Sequence, residues 1–166
     1  MIIRRERAED RPEIFAVLAA AFAGGPEPRL LRELFAAREY LPALSLVAES
    51  EQGVILGHVI STRAWVGTSQ SLGLGPLAVQ PGYQRQGVGS ALMTATLAAA
   101  NELGESSIAL LGSTAYYPRF GFVPADSLGI ISPDPSWGSH FMARALNAYT
   151  AGTHGQFKYA QPFKNH

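Results

Sequence analysis

Apolar positions along this chain change their spacing several times, and each change predicts an element. Residues 2–6 read as a short first strand. Ile14, Leu18 and Ala21 then fall at i, i+4 and i+7, with Val17 and Phe22 beside them, as the buried stripe of an amphipathic helix requires. Asp10 stands at the N-cap position, Pro12 near the first turn, and Glu13 at capping-box spacing. Gly24-Gly25-Pro26 ends that helix. A second helix is expected from Pro28 to about Tyr40, burying Leu30, Leu31, Leu34 and Phe35.

After Pro42 the pattern becomes β-like. Leu44–Ser50 and Val54–Val66 are strand runs separated by Glu51-Gln52-Gly53, a hairpin signal. A third run, Leu72–Val79, follows the turn-like Gly67-Thr68-Ser69. Pro76 lies inside it and cannot donate to a ladder, so a bulge or local opening is expected there. From Val88 the period is helical again, with Val88, Leu92, Ala95, Ala99 and Leu103 on one face and Gly104 as the stop. Ser107–Leu111 is the next strand. Strand, helix, strand in this order implies a parallel pair with a right-handed crossover. Beyond Tyr116 come a short helical turn, strands near Phe141–Leu146 and Gln156–Tyr159, and Pro/Gly-rich loops. The fold expected is α/β around a mixed sheet, in one domain over residues 1–166.

Composition narrows the function. Thirteen basic and thirteen acidic residues give a formal net charge of zero, so no large nucleic-acid footprint is indicated. There is no cysteine, which removes disulfides, thiolate metal sites and a cysteine nucleophile together. No apolar run approaches the roughly 18 residues of a membrane span. Met1–Arg7 mixes charges without an apolar core segment, so a cytoplasmic protein is the expectation.

The chemistry concentrates at residues 72–92, where a strand leads through a glycine-containing loop into a well-patterned helix. The first N–H groups of a helix lack partners and the macrodipole places positive charge there, which suits phosphate. Gly87 and Gly89 let backbone approach a ligand, and Arg85 adds a fixed charge. Gly82 and Gly87 have Walker-loop spacing, but Val88 and Gly89 stand where Lys and Ser/Thr are needed. Gly73-Leu74-Gly75-Pro76-Leu77-Ala78 imitates a dinucleotide fingerprint, yet it lies within a strand and leads to Val79-Gln80-Pro81 rather than a helix.

Gln84-Arg85-Gln86-Gly87-Val88-Gly89 resembles the Q/R-x-x-G-x-G/A signature of the GNAT acetyltransferases. Ala115-Tyr116-Tyr117-Pro118-Arg119-Phe120-Gly121-Phe122 resembles the family's second motif, one helix and one strand later. The order of elements agrees along essentially the whole chain, and the run continuing into Val123-Pro124-Ala125 resembles a bacterial subgroup of unassigned acceptors. The resemblance implies a mostly antiparallel twisted sheet with a splayed parallel strand pair and flanking helices. It implies acetyl-CoA, its diphosphate on the backbone of Gln86, Gly87, Val88, Gly89 and Ser90, flanked by Gln84 and Arg85. The pantetheine arm is expected between Leu77–Val79 and Leu110–Ser113, with Leu77, Ala78, Val79, Ser113 and Tyr116 in contact. The implied reaction moves acetyl directly to a primary amine, small-molecule or peptide, in a ternary complex. A non-catalytic acyl-CoA-binding module is the alternative.

By position, Tyr117 meets the departing thiolate. The resemblance implies a carboxylate base on the strand run Leu72–Val79, but that run has none, which leaves His58 as the candidate, against a reading in which it is a satisfied strand histidine. Glu27 and Glu33 read as solvated charges. His140, His154 and His166 show no metal-ligand spacing, and no metal is expected. Phe157, Tyr159 and Phe163 fit either a cover for one sheet edge, an acceptor pocket or a dimer seam, and a homodimer is common in the superfamily.

Overall fold

A computed structural model describes residues 1–166. In chain order the strands are β1 (Ile2–Arg5), β2 (Ser45–Glu49), β3 (Ile55–Val66), β4 (Ser69–Val79), β5 (Ser107–Leu111), β6 (Val123–Pro124), β7 (Ile130–Ile131), β8 (Phe141–Ala145) and β9 (Gly155–Lys158). The helices are α1 (Arg11–Ala21) and α2 (Glu27–Ala36) before β2, and α3 (Val88–Glu102) between β4 and β5. The sheet runs β1-β2-β3-β4-β5-β8-β6, with β9 added antiparallel to the far end of β3 and parallel to β7. Along the main path every pairing is antiparallel except β4–β5.

Strand alternation sends side chains to two cores. Leu46, Ala48, Leu72 and Leu74 pack with Leu92 and Phe122 under α3. Val47, Ile60 and Ala78 pack with Ile14, Leu18, Leu31 and Leu34 of α1 and α2. A third cluster around Ala109, Phe141 and Phe157 continues that second face toward β9. The central strands β2 and β3 are thereby covered on both faces, and their register is pinned by which residues must be buried.

Several expectations are corrected. Asp10 does not cap α1. Its carboxylate takes a bidentate pair from Arg4 (2.7 and 3.0 Å) and the Arg7 N–H (2.7 Å), because this buried acid needs a full set of donors. Glu13 reaches the Ile55 N–H of β3 instead of closing a capping box. Helix α2 stops at Ala36, four residues early. Ala37 is extended (φ −82°, ψ 154°), and the chain turns so that the Tyr40 hydroxyl donates to Glu6, beside Arg11. The stripe of α3 is rotated: Val88, Leu92, Met93, Thr96, Leu97 and Ala100 are buried, while Leu103 is 48% exposed. Thr96 escapes an apolar count yet is at ease inside, since its hydroxyl donates to the Leu92 carbonyl (2.9 Å). Strand β4 begins at Ser69, because Gly67-Thr68 closes a two-residue hairpin between Val66 and Ser69.

The irregularity expected at Pro76 is present. Val59 pairs with Leu77 and Ser61 with Leu74, so Gly75 and Pro76 together face Ile60 alone. This is a bulge in β4, with the local bend that an unpaired extra residue imposes.

Candidate active site

The bulge sets the site. Strands β4 and β5 pair in parallel only at Leu72 with Ile108 and Gly73 with Ala109. Beyond that vertex β5 stays paired to β8 through Leu111, while β4 continues beside β3 to Val79. The edge of β4 from Leu74 to Val79 therefore faces no strand. Leu77 and Val79 turn their side chains toward α3, and Ala78 turns to the α1–α2 face.

The loop from Gln84 to Ser90 lies at the end of that edge. The first amide of the α3 ladder is that of Ala91, donating to the Gly87 carbonyl (3.0 Å). The N–H groups of Gln86 to Ser90 have no main-chain acceptor, so a run of donors stands open at the helix N-terminus. Gly87 is left-handed (φ 88°, ψ 0°), and a Cβ there would meet nothing within 4 Å. Its glycine is needed for φ, and the space above it is free for an anion. Arg85 is the chain's one non-glycine residue at positive φ (61°), which turns its neighbouring amides the same way. Gln84 and Gln86 brace the loop rather than point from it: their side-chain amides donate to the carbonyls of Val79 (3.1 Å) and Gly82 (3.2 Å). An open row of amides, a left-handed glycine and a nearby arginine fit a diphosphate, and the unpaired β4 edge fits an extended amide-bearing arm.

Past β5, the Ser113 hydroxyl accepts from the N–H groups of Ala115 and Tyr116 (3.2 Å each), forming the turn that presents both tyrosines. Tyr116 reaches the α3 N-terminus, its hydroxyl 3.2 Å from Ser90 Oγ and its ring under the Arg119 guanidinium (4.7 Å). Tyr117 packs on Gly112 and, edge-on, against Tyr116 and Phe122 (5.0 and 6.1 Å). Burial, aided by Tyr116, raises its pKa above the usual phenol value, so it is a neutral donor at physiological pH.

A cleft of about 590 Å³ runs from the splay to the α1–α2 face. Leu77, Leu110 and Tyr117 line the splay end. Phe22, Trp137, Tyr159 and Phe163 line the other. Thus Tyr159 and Phe163 line a pocket, and the largely buried Phe157, edge-on to Tyr159, contributes to the same wall. Glu27 is half-buried at the start of α2 and lines the same cleft, which corrects its reading as a solvated charge. Trp137 carried no sequence signal, since it sits in an irregular Pro/Gly-rich segment with no period to place it.

His58 is elsewhere. It is fully buried on the α1–α2 face opposite Ala78, with Nε2 2.9 Å from Ser45 Oγ, the Phe35 ring at 6.1 Å and no partner for Nδ1. Burial, with a smaller contribution from Arg11, pushes its pKa down to about 3. It does not line the cleft. Among the remaining histidines, His140 bonds the Gly112 carbonyl and His166 bonds Glu33.

Known proteins share this sequence pattern and fold. Residues 11–122 match the acetyltransferase (GNAT) family. Over 161 residues the chain is 34% identical to YjhQ, an uncharacterized N-acetyltransferase of Escherichia coli K12, covering 92% of this chain and 88% of that protein. The crystal structure of E. coli YhbS in complex with CoA matches 98% of this chain and 91% of its own, with a TM-score of 0.91 at 30% identity. A GNAT acetyltransferase of Brucella melitensis in complex with acetyl-CoA matches 98% and 97%, with a TM-score of 0.79 at 32% identity. The chain belongs to the GNAT acetyltransferase family. It is an acetyl-CoA-dependent N-acetyltransferase, and its co-substrate is an amine. No helix is long and apolar enough to cross a membrane.

Proposed function

We propose that the protein transfers acetyl from acetyl-CoA directly to a primary amine while both are bound. The observation that carries this reading is the splay itself: one unpaired strand edge ends at one open row of helix amides and joins a separate cleft from the opposite face. Two molecules can therefore meet at the vertex without exchanging places. Acetyl-CoA supplies an activated thioester. Gln86, Gly87, Val88, Gly89 and Ser90 hold its diphosphate through backbone amides, with Arg85 and Tyr116 beside them. The backbone of Leu77 and Val79 pairs with its pantetheine arm, and an amide near Ala78 and Val79 faces the carbonyl oxygen.

As the acceptor nitrogen forms its bond to the acetyl carbon, the carbon–sulfur bond breaks and one proton is lost from nitrogen. Tyr117 donates a hydrogen bond to the sulfur. A phenol above pKa ~10 facing a thiol near ~8.5 would give up its proton at a cost of at least roughly 2 kcal/mol, so stabilisation of the thiolate is the lighter task. With a pKa of about 3, His58 is a weak base at neutral pH. In this reading it supports the floor behind Ala78, and the nitrogen sheds its proton to water in the cleft.

Two measurements test the reading. Calorimetry with acetyl-CoA, and NAD as comparison, should give binding of the first alone. Initial-rate kinetics with a turned-over amine should give intersecting double-reciprocal lines. Parallel lines would mean an acetyl-enzyme and would overturn direct transfer.

A further inference from the structure

The chain contains eleven arginines but only two lysines, and both lysines, Lys158 and Lys164, line the acceptor end of the cleft. Neither enters any of the chain's five ion pairs. Among carboxylates, Glu27 alone lines the same space, and it too is absent from those pairs; Glu33 nearby is held by His166 (2.6 Å). The same cleft carries an aromatic wall. Tyr159 stacks on Phe163 (4.6 Å) and meets Trp137 edge-on (6.3 Å). No protein group hydrogen-bonds the Tyr159 hydroxyl.

Glu27 lines the cleft with no cationic partner, and a ligand ammonium would supply one. Aromatic faces favour the same ammonium and an apolar body. Two lysines at the rim repel a second positive charge and attract an acid group. We propose, on the basis of the acetyltransfer reading above, that the acceptor is a small zwitterion: one primary amine and one acid group on an aromatic or branched apolar body. Glu27 binds the ammonium before transfer, Trp137, Tyr159 and Phe163 take the body, and Lys158 and Lys164 take the acid.

Acetyl transfer and calorimetric binding in the presence of CoA are measured with phenylalanine, its phosphonate analogue, phenethylamine, glycine and spermidine. Phenylalanine or its phosphonate should exceed phenethylamine and glycine in kcat/KM by ~10-fold or more, with spermidine last; which acid wins identifies the group. Glu27→Gln should raise KM and weaken calorimetric binding of the zwitterion by ~10–100-fold, the size of one charged hydrogen bond, leaving acetyl-CoA affinity unchanged. Lys158→Ala/Lys164→Ala should raise KM for the acid-bearing amine and leave phenethylamine unaffected. Preference for spermidine or phenethylamine, no turnover of any zwitterion, or acetylation of Lys158 and Lys164 themselves by mass spectrometry would each overturn the proposal. If acetyl-CoA binds throughout, only the acceptor class falls; if it does not, the acetyltransfer reading falls too.

Discussion

The Tyr159 ring lies directly on Gly73: a Cβ built on Gly73 would stand 2.7 Å from Tyr159 Cδ1. Gly73 also forms the last parallel pair before the splay, with Ala109. The missing side chain thus brings an aromatic of the cleft to the vertex where the strands part. Gly73→Ala should push Tyr159 outward. Overpacking of this kind costs about 1–3 kcal/mol, read as a lower Tm, and KM for the amine should rise. Acetyl-CoA affinity should hold, because the loop proposed to take the diphosphate lies beyond the other end of β4. An unchanged KM would detach Tyr159 from acceptor binding.

Gly87 carries two constraints, a φ of 88° and open space above it. They predict a graded series. Gly87→Ala adds backbone strain of about 1–2 kcal/mol with little obstruction, so it should lower Tm and weaken acetyl-CoA modestly. Gly87→Glu adds a negative charge where phosphate oxygens are to sit and should abolish calorimetric binding. Equal affinity in both variants would move the diphosphate away from this loop.

Tyr117→Phe tests the thiolate donor. The ring keeps its packing on Gly112, Tyr116 and Phe122, so fold and acetyl-CoA affinity should be retained. A hydrogen bond to a developing charge is worth about 1.5–3 kcal/mol, which corresponds to a ~10–100-fold loss in kcat. Wild-type kcat would reduce Tyr117 to a packing residue.

How much was readable in advance follows from where each signal resides. Gly87 and Arg85 announce their loop because a helix start that must leave amides open uses local residues in consecutive order. Pro76 announces the bulge because it lacks an N–H, whatever surrounds it. Asp10 misleads because local spacing offers a cap, while the fold offers Arg4, and the charged pair wins. Tyr40 ends α2 early for the same reason: a partner on β1's end, Glu6, is 34 residues away. Glu27, Trp137 and Tyr159 become one cleft only when β9 folds across β3, a contact between segments about 90 residues apart that no local pattern encodes.

His58 provides the sharpest pH test. Its ordinary pKa of 6.5 applies to the unfolded chain, whereas burial holds it at about 3 in the fold. Above pH 6.5 both states are neutral and the residue contributes no pH dependence. Below it, the unfolded chain gains a proton that the folded one refuses, so stability falls as pH falls. The slope from this residue approaches about 1.4 kcal/mol per pH unit and persists down to about pH 3. Asp10, whose pKa is lowered by Arg4, adds loss in the same direction only below its unfolded value near ~3.9. The window from pH 6 to 4.5 therefore belongs to His58 among the shifted groups. Urea denaturation across that window should show the decline in wild type. His58→Gln keeps a polar partner for Ser45 without titrating, and should flatten it. An unchanged slope in that variant would mean that the imidazole takes up a proton inside the fold, and with it the capacity to act as a base near neutral pH.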